Sequence, residues 1–309
     1  MSAEQDQALS DLLQALAGRT YRFITPTPAT HASYVQRLPQ PAAPDLRGIM
    51  GWSQPFSWDH DPDGDIVVLL EAAGALETDA QGIMRSLVRV SSLDDHLFLH
   101  SGFPTTQADA VFFGPDSYRY ASFLRAELPR LNPRRRVVDI GAGTGVGATV
   151  AASLLPGARI TMTDINPEAL RFARINADFN GVKAEFIEAS SLDALQGEID
   201  CIIANPPYIA DPAQRAYRDG GGLHGGEISL AWTKAAATRL TTGGAYLLYT
   251  GSAIVDGEDH LKHAVIDALD GFEVSYRELD PDVFGEELEQ PAYAGVERIA
   301  IVGLVATKR

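Results

Sequence analysis

Arg136-Val137-Val138-Asp139-Ile140-Gly141-Ala142-Gly143-Thr144-Gly145 is the stretch that decides the architecture. A short run rich in β-branched residues ends in three alternate glycines, so it reads as a buried strand entering a sharp turn. The apolar segment 146–155 ("VGATVAASLL") then reads as a helix. Working outward, strands are expected at 158–165, 184–190 and 200–204, with a helix at 166–181 between the first two. A helix over 227–240, a strand at 244–251, a helix at 257–269 and strands at 272–279 and 297–306 follow. Upstream, 117–128 reads as a helix. Strand–helix alternation of this kind builds a mostly parallel sheet covered on both faces.

The first 110 residues have a different pattern. Leu9, Leu12, Leu13 and Leu16 have helical spacing. Frequent prolines from Thr25 to Pro44 predict an extended surface segment. Trp52, Phe56 and Trp58 read as plugs of a core edge or of a seam between domains. Residues 66–76 look helical, and 84–99 alternate around Ser-Ser-Leu-Asp-Asp as a hairpin does. The expected organisation is a small α+β unit over 1–110, winged-helix-like and used for substrate recognition or capping, and an α/β domain over 111–309.

Composition bounds the function. The 309 residues are 45% hydrophobic and 21% charged, as in a soluble globular protein. A net charge of −16, from 41 acidic and 25 basic side chains, disfavours sequence-independent binding to nucleic acid. The single cysteine, Cys201, excludes a disulfide framework and reads as a packing residue in a strand. The seven histidines are scattered, so no metal is expected. Arg134-Arg135-Arg136 read as a solvated turn at the sheet edge opposite the glycines. The acidic amphipathic start and the lack of a long apolar run predict a cytoplasmic protein without a membrane span.

Two motifs carry chemistry. Glycines at 141, 143 and 145 let the backbone approach a ligand closely, and from Gly143 the string satisfies G-x-G-x-x-A. Asp164, at the end of the second strand, is placed to accept hydrogen bonds from both hydroxyls of a ribose. Together they imply a nucleoside ligand on a Rossmann-like sheet, either an adenosyl-methionine or a dinucleotide. The second motif is Asn205-Pro206-Pro207-Tyr208, directly after "DCIIA". Two prolines make a rigid corner at a strand end, where open α/β sheets bind ligands. The Asn205 amide and the Pro206 carbonyl can accept from a planar NH2 group, and the Tyr208 ring offers a face to stack on.

"VVDIGAGTG", "TDINPEALRFARINADFNG" and "IDCIIANPPYIAD", in this order and spacing, resemble class I S-adenosylmethionine-dependent methyltransferases of the NPPY type. The resemblance extends to the peptide-chain release factor glutamine methyltransferase group and covers roughly residues 110–309. It implies a Rossmann-like sheet with an antiparallel last strand, S-adenosylmethionine as cofactor and S-adenosylhomocysteine as product. It also implies that Gly141, Ala142, Gly143 and Gly145 pass under the methionine and ribose, with Asp139 near the amino group. Asp164 would hold the ribose and Ile165 would pack on the adenine. Ser190 stands where relatives carry an adenine-binding Asp, beside Ser191; a hydroxyl accepts that bond less strongly than a carboxylate. Asn205, Pro206 and Tyr208 would be catalytic, and Pro207, Phe113 and Tyr118 would contact substrate. Phe112 and Asp116 just before the core, and Arg218, Asp219, His224 and Glu227 after the corner, are further candidates for the rim. The implied reaction is methylation of a planar amide nitrogen, such as glutamine in a protein. An exocyclic base amine of RNA or DNA, or a small molecule, is the alternative acceptor, and the 1–110 segment lacks the five-helix pattern of the release-factor group.

Overall fold

Residues 2–38, 44–60, 64–132 and 135–309 are described by this computed structural model. The centre of the molecule is β5 (Arg136–Ile140), all five residues of which are buried. It pairs in parallel with β6 (Arg159–Asp164) on one side and β8 (Ile199–Ala204) on the other. β7 (Ala184–Glu188) adds in parallel to β6, and β9 (Leu240–Val255) adds in parallel to β8. β12 (Val296–Lys308) runs antiparallel to β9, and β11 (Phe272–Asp280) is antiparallel to β12 at the edge. The order is therefore β11-β12-β9-β8-β5-β6-β7, with the two-residue β10 (Glu258–Asp259) folded back on β9. The last strand of the chain is antiparallel, as the resemblance implies.

Alternation along the central strands divides the core in two. Val137, Ile160, Cys201, Ile203 and Leu247 face one side. They are covered by α5 (Pro115–Glu127), α6 (Val146–Leu154) and part of α7 (Pro167–Phe179). Val138, Ile140, Ile202, Tyr246 and Leu248 face the other side, under α8 (Glu227–Arg239) and α9 (His260–Asp267). Each fully buried aliphatic side chain of this kind contributes about 1.5–3 kcal/mol.

The N-terminal unit comprises α1 (Ala3–Gly18), α2 (Pro28–Gln36), α3 (Leu46–Met50) and α4 (Asp65–Ala72), with two separate two-stranded sheets. These are β1 (Leu76–Thr78) with β2 (Met84–Ser86), and β3 (Val88–Leu93) with β4 (His96–Ser101). The extended path expected over 25–44 is not what forms. Thr27 caps α2 by accepting from the Thr30 N–H at 3.2 Å, and Pro28 occupies the first helical turn, where its missing N–H costs nothing; residues 39–43 lie outside the described residues. Trp52 stacks on Tyr34 at 4.0 Å and meets Phe23 edge-on, and Phe56 is buried, whereas Trp58 is half exposed. Arg136 is not a solvated turn residue: it is buried in β5 and donates to the carbonyls of Gln196 and Glu198. Arg134 lies outside the described residues.

α7 joins the two halves. Its Ala169, Phe172 and Ile175 belong to the same apolar cluster as Leu9, Leu12, Leu13 and Leu16 of α1. Asn176, fully buried, accepts from the Leu99 N–H of β4 at 2.7 Å. Its Nδ2 donates to the carbonyls of Leu99 and of Thr144 in the glycine turn, each at 3.0 Å. Truncation strands all three backbone groups in a dry interior. Asn176→Ala is expected to lower unfolding free energy by about 3 kcal/mol, read as a fall in the urea midpoint with an unchanged slope.

Candidate active site

The loops at the carboxyl ends of the parallel strands enclose a cavity of about 440 Å³, a volume suited to a small-molecule ligand. Its floor is the turn after β5. Gly141 and Gly143 have φ of +66° and +54°, conformations that L side chains rarely adopt. A side chain on Gly141 would run into Trp232 of α8, and one on Gly143 would project into open space. Asp164 holds this turn from the neighbouring strand. One carboxylate oxygen accepts from the Gly143 N–H and the other from the Asn166 N–H, both at 2.9 Å. A carboxylate has about four acceptor sites, so Asp164 retains capacity for hydroxyl donors. Burial raises its pKa, opposed by those backbone N–H groups.

Asp139 lies deeper. Its oxygens accept from the Ala148 N–H at 2.8 Å and from the Tyr120 hydroxyl at 3.5 Å. Burial pushes its carboxyl up to about 7, with repulsion from Asp164 adding and the Ala148 N–H opposing. In the folded chain alone the proton is therefore favoured below about pH 7. The stability this group contributes is complete below the ordinary carboxylate range and is lost as pH rises through about 7.

Of the residues the sequence assigns to a cofactor, Asp139, Gly141, Ala142, Gly143, Asp164, Ile165, Ser190, Ser191 and Asn205 all line this cavity. Gly145 sits one step behind it, as the left-handed N-cap of α6. Ile165 is 58% exposed, an apolar face open to a ring. Asn205 presents a buried amide oxygen that has no hydrogen-bond partner.

The acceptor side differs from expectation. Pro207 lines the cavity, whereas Pro206 and Tyr208 are buried and do not. The Tyr208 ring lies flat against the backbone of Gly251, where a Cβ would come within 2.3 Å of it, and meets Phe284 edge-on. Phe113 is buried against Phe98 and Tyr118, and the Tyr118 hydroxyl accepts from the Thr25 N–H; neither ring reaches the cavity. Asp116 is held by Tyr249 and Arg119. The charged candidates of the loop after the corner also have partners elsewhere. Arg218 pairs with Glu287, Asp219 accepts from the Asp211 and Gly221 N–H groups, and Glu227 accepts from the Gly222 N–H. His224 bonds to the Ala292 carbonyl. The aromatic side chains that do line the cavity include Phe112, Tyr217 and Trp232. Glu258, His260 and His263 bring ligand atoms within 4.8 Å of one another, a grouping hidden by the general scatter of histidines, but all three are exposed and away from the cavity lining.

A ligand ammonium placed against Asp139 favours the carboxylate, so its binding expels the proton. S-adenosylhomocysteine is expected to bind about tenfold more weakly at pH 6 than at pH 8. In Asp139→Asn, calorimetry should show weaker binding without that slope.

Residues 108–252 match the methyltransferase small domain family. The release factor glutamine methyltransferase of Deinococcus radiodurans is 36% identical over 154 residues, 47% of this chain and 55% of that protein. The ribosomal RNA large subunit methyltransferase G of Vibrio vulnificus is 37% identical over 102 residues, 32% of this chain and 27% of that one. The chain thus spans about half or less of the length of these relatives. Among solved structures, Trm5b from Pyrococcus abyssi superposes with a TM-score of 0.50 at 15% identity, covering 79% of this chain and 68% of that one. Among the described residues no helix is long and apolar enough to cross a membrane. Over residues 108–252 the chain is thus similar to the methyltransferase small domain family, on a sheet whose fold is shared with Trm5b.

Proposed function

We propose that the chain methylates the side-chain amide nitrogen of a glutamine in a protein substrate. The observation that carries this reading is the Asn205 amide oxygen, buried, unpartnered and on a residue that lines the nucleoside-sized cavity. An unsatisfied buried acceptor costs about 1–3 kcal/mol, which a donor NH2 group recovers on arrival. The Asn205 oxygen, accepting from a hydrogen of an amide, would turn its nitrogen lone pair away from that acceptor and enrich it. The same acceptor favours the positive charge that develops on that nitrogen. S-adenosylmethionine supplies a methyl group already activated on a sulfonium, so the protein's part is position and electrostatics. Asp164 would hold the ribose hydroxyls, Asp139 the ammonium, and the Gly141–Gly145 turn the space between. Both carboxyls that line the cavity, Asp139 and Asp164, lie on this cofactor side; the acceptor's proton would leave to water after transfer.

The glutamine of the proposed substrate draws on the release factor glutamine methyltransferases among the relatives. The ribosomal RNA methyltransferases also among them support a base amine as the second reading. The net charge of −16 weighs against that reading, because a polyanion is repelled at long range. Residues 1–110 fit a recognition or capping role. Their polar groove of about 470 Å³, with Glu77, Asp79, Arg85 and Gln107, shares Ala110 with the cavity.

Incubation of lysate with labelled S-adenosylmethionine is expected to place label in protein and to release N-methylglutamine on enzymatic digestion; label confined to RNA would overturn the protein acceptor. Asn205→Ala should cut the transfer rate by about 10²–10³ while S-adenosylhomocysteine still binds.

A further inference from the structure

The aromatic face that shares the cavity lining with Asn205 is not the one that the Asn-Pro-Pro-Tyr motif suggests. Tyr208 is packed into the core on Gly251, with its hydroxyl beside the Asp116 carboxyl, and its ring does not line the cavity. Two other rings do. Phe112, from the segment before α5, and Tyr217, from the loop after β8, lie nearly parallel at 13°, with centroids 5.8 Å apart.

Both rings are held in place. A Cβ on Gly114 would come within 2.3 Å of the Phe112 ring tip, so the ring is folded back over that glycine. Tyr217 is the end of a connected set. Asp211, 7% exposed, accepts from Nε and Nη2 of Arg215 at 2.7 and 2.8 Å. Such bidentate, charge-assisted pairs fix geometry as well as attract. The Arg215 guanidinium lies 5.7 Å from the Tyr217 centroid, and its Nη1 donates to the Tyr217 hydroxyl at 3.3 Å. That hydroxyl donates in turn to the Thr105 carbonyl at 2.9 Å.

We propose that Phe112 and Tyr217 form the aromatic wall against which the flat amide of the acceptor glutamine lies while its NH2 group meets Asn205. The Tyr217–Thr105 hydrogen bond makes the segment leading out of the N-terminal unit a part of that acceptor site. The proposal rests on the methyltransferase reading and adds the residues that select a planar acceptor. Tyr217 and Phe112 are acceptor-binding residues here; Arg215 and Asp211 are positioning residues that act through Tyr217.

The test uses the full chain, S-adenosylmethionine, and two acceptor probes: a blocked pentapeptide with a central glutamine flanked by alanines, and adenosine. Phe112→Ala and Tyr217→Ala are expected to raise the KM for the peptide about tenfold, with kcat changed less and S-adenosylhomocysteine affinity unchanged. Phe112→Leu and Tyr217→Leu keep apolar volume without an aromatic face and should show the same rise, which separates stacking from misfolding. Tyr217→Phe keeps the ring and should restore most of the lost KM. Unchanged peptide KM in both leucine variants, with cofactor product still bound, overturns the wall. Methylation of adenosine and not of the peptide overturns the glutamine, in this proposal and its parent alike. Failure of the unaltered protein to bind S-adenosylhomocysteine overturns the methyltransferase reading first, and transfer to neither probe overturns the small planar acceptor.

Discussion

The side-chain amide of Asn176 is the constraint on which the arrangement depends. It lies in the dry seam where α7, the β4 edge and the glycine turn meet, and it satisfies a backbone group on each of the last two. An apolar residue would leave a buried N–H and two carbonyls unpaired, and an aspartate would repel those carbonyls. The glycine turn that forms the floor of the cavity is thereby fixed to the N-terminal hairpin. Asn180 repeats the device one helical turn later, donating to the Leu97 carbonyl at 2.9 Å. Motion of one half relative to the other must first break these bonds.

From this fixed floor the site is organised by sign of charge. Asp139 and Asp164 both line the floor of the cavity; burial raises the proton affinity of each, and the charge of Asp164 adds to that of Asp139. A ligand that brings an ammonium and two hydroxyls relieves both burdens at once. The rest of the lining carries no such pair: it includes the neutral Asn205 oxygen and the rings of Phe112, Tyr217 and Trp232. Charge on one side and neutrality on the other suit a reaction in which the donor is cationic and the acceptor is an uncharged amide.

The sheet was legible because each strand of an α/β domain is a short apolar run with a turn signal at its end, and β5, β6, β8 and β9 all carry one. That Gly141, Gly143 and Asp164 come together at the cavity was legible for a related reason: they stand at strand ends, where position in the chain nearly fixes position in space. α2 was hidden because Pro28 takes its first helical position, where a missing N–H is tolerated, rather than its interior. The acceptor side was the hardest to read. Phe112 and Phe113 are neighbours outside any helix or strand; the first lines the cavity and the second packs on Phe98, and spacing alone does not say which does which. Tyr208 was assigned to the cavity from its motif, while its true environment depends on Gly251, distant in sequence. The charged residues near Tyr217 are more conspicuous in sequence than the ring itself, and only the tertiary structure reveals that Arg218 is taken up by Glu287 and that Asp219 and Glu227 accept from backbone N–H groups.

The helix that both halves share has a further consequence, for the order of synthesis. Leu9, Leu12, Leu13 and Leu16 emerge from the ribosome long before α7, yet the apolar surface they pack on includes its Ala169, Phe172 and Ile175. The amino-terminal segment cannot complete its core until α7 has been made, well after its own last strand. During that interval its leucine face is open to whatever else binds exposed apolar helices. A chain with this layout folds late and as a whole, and its nascent form is a natural client for chaperones.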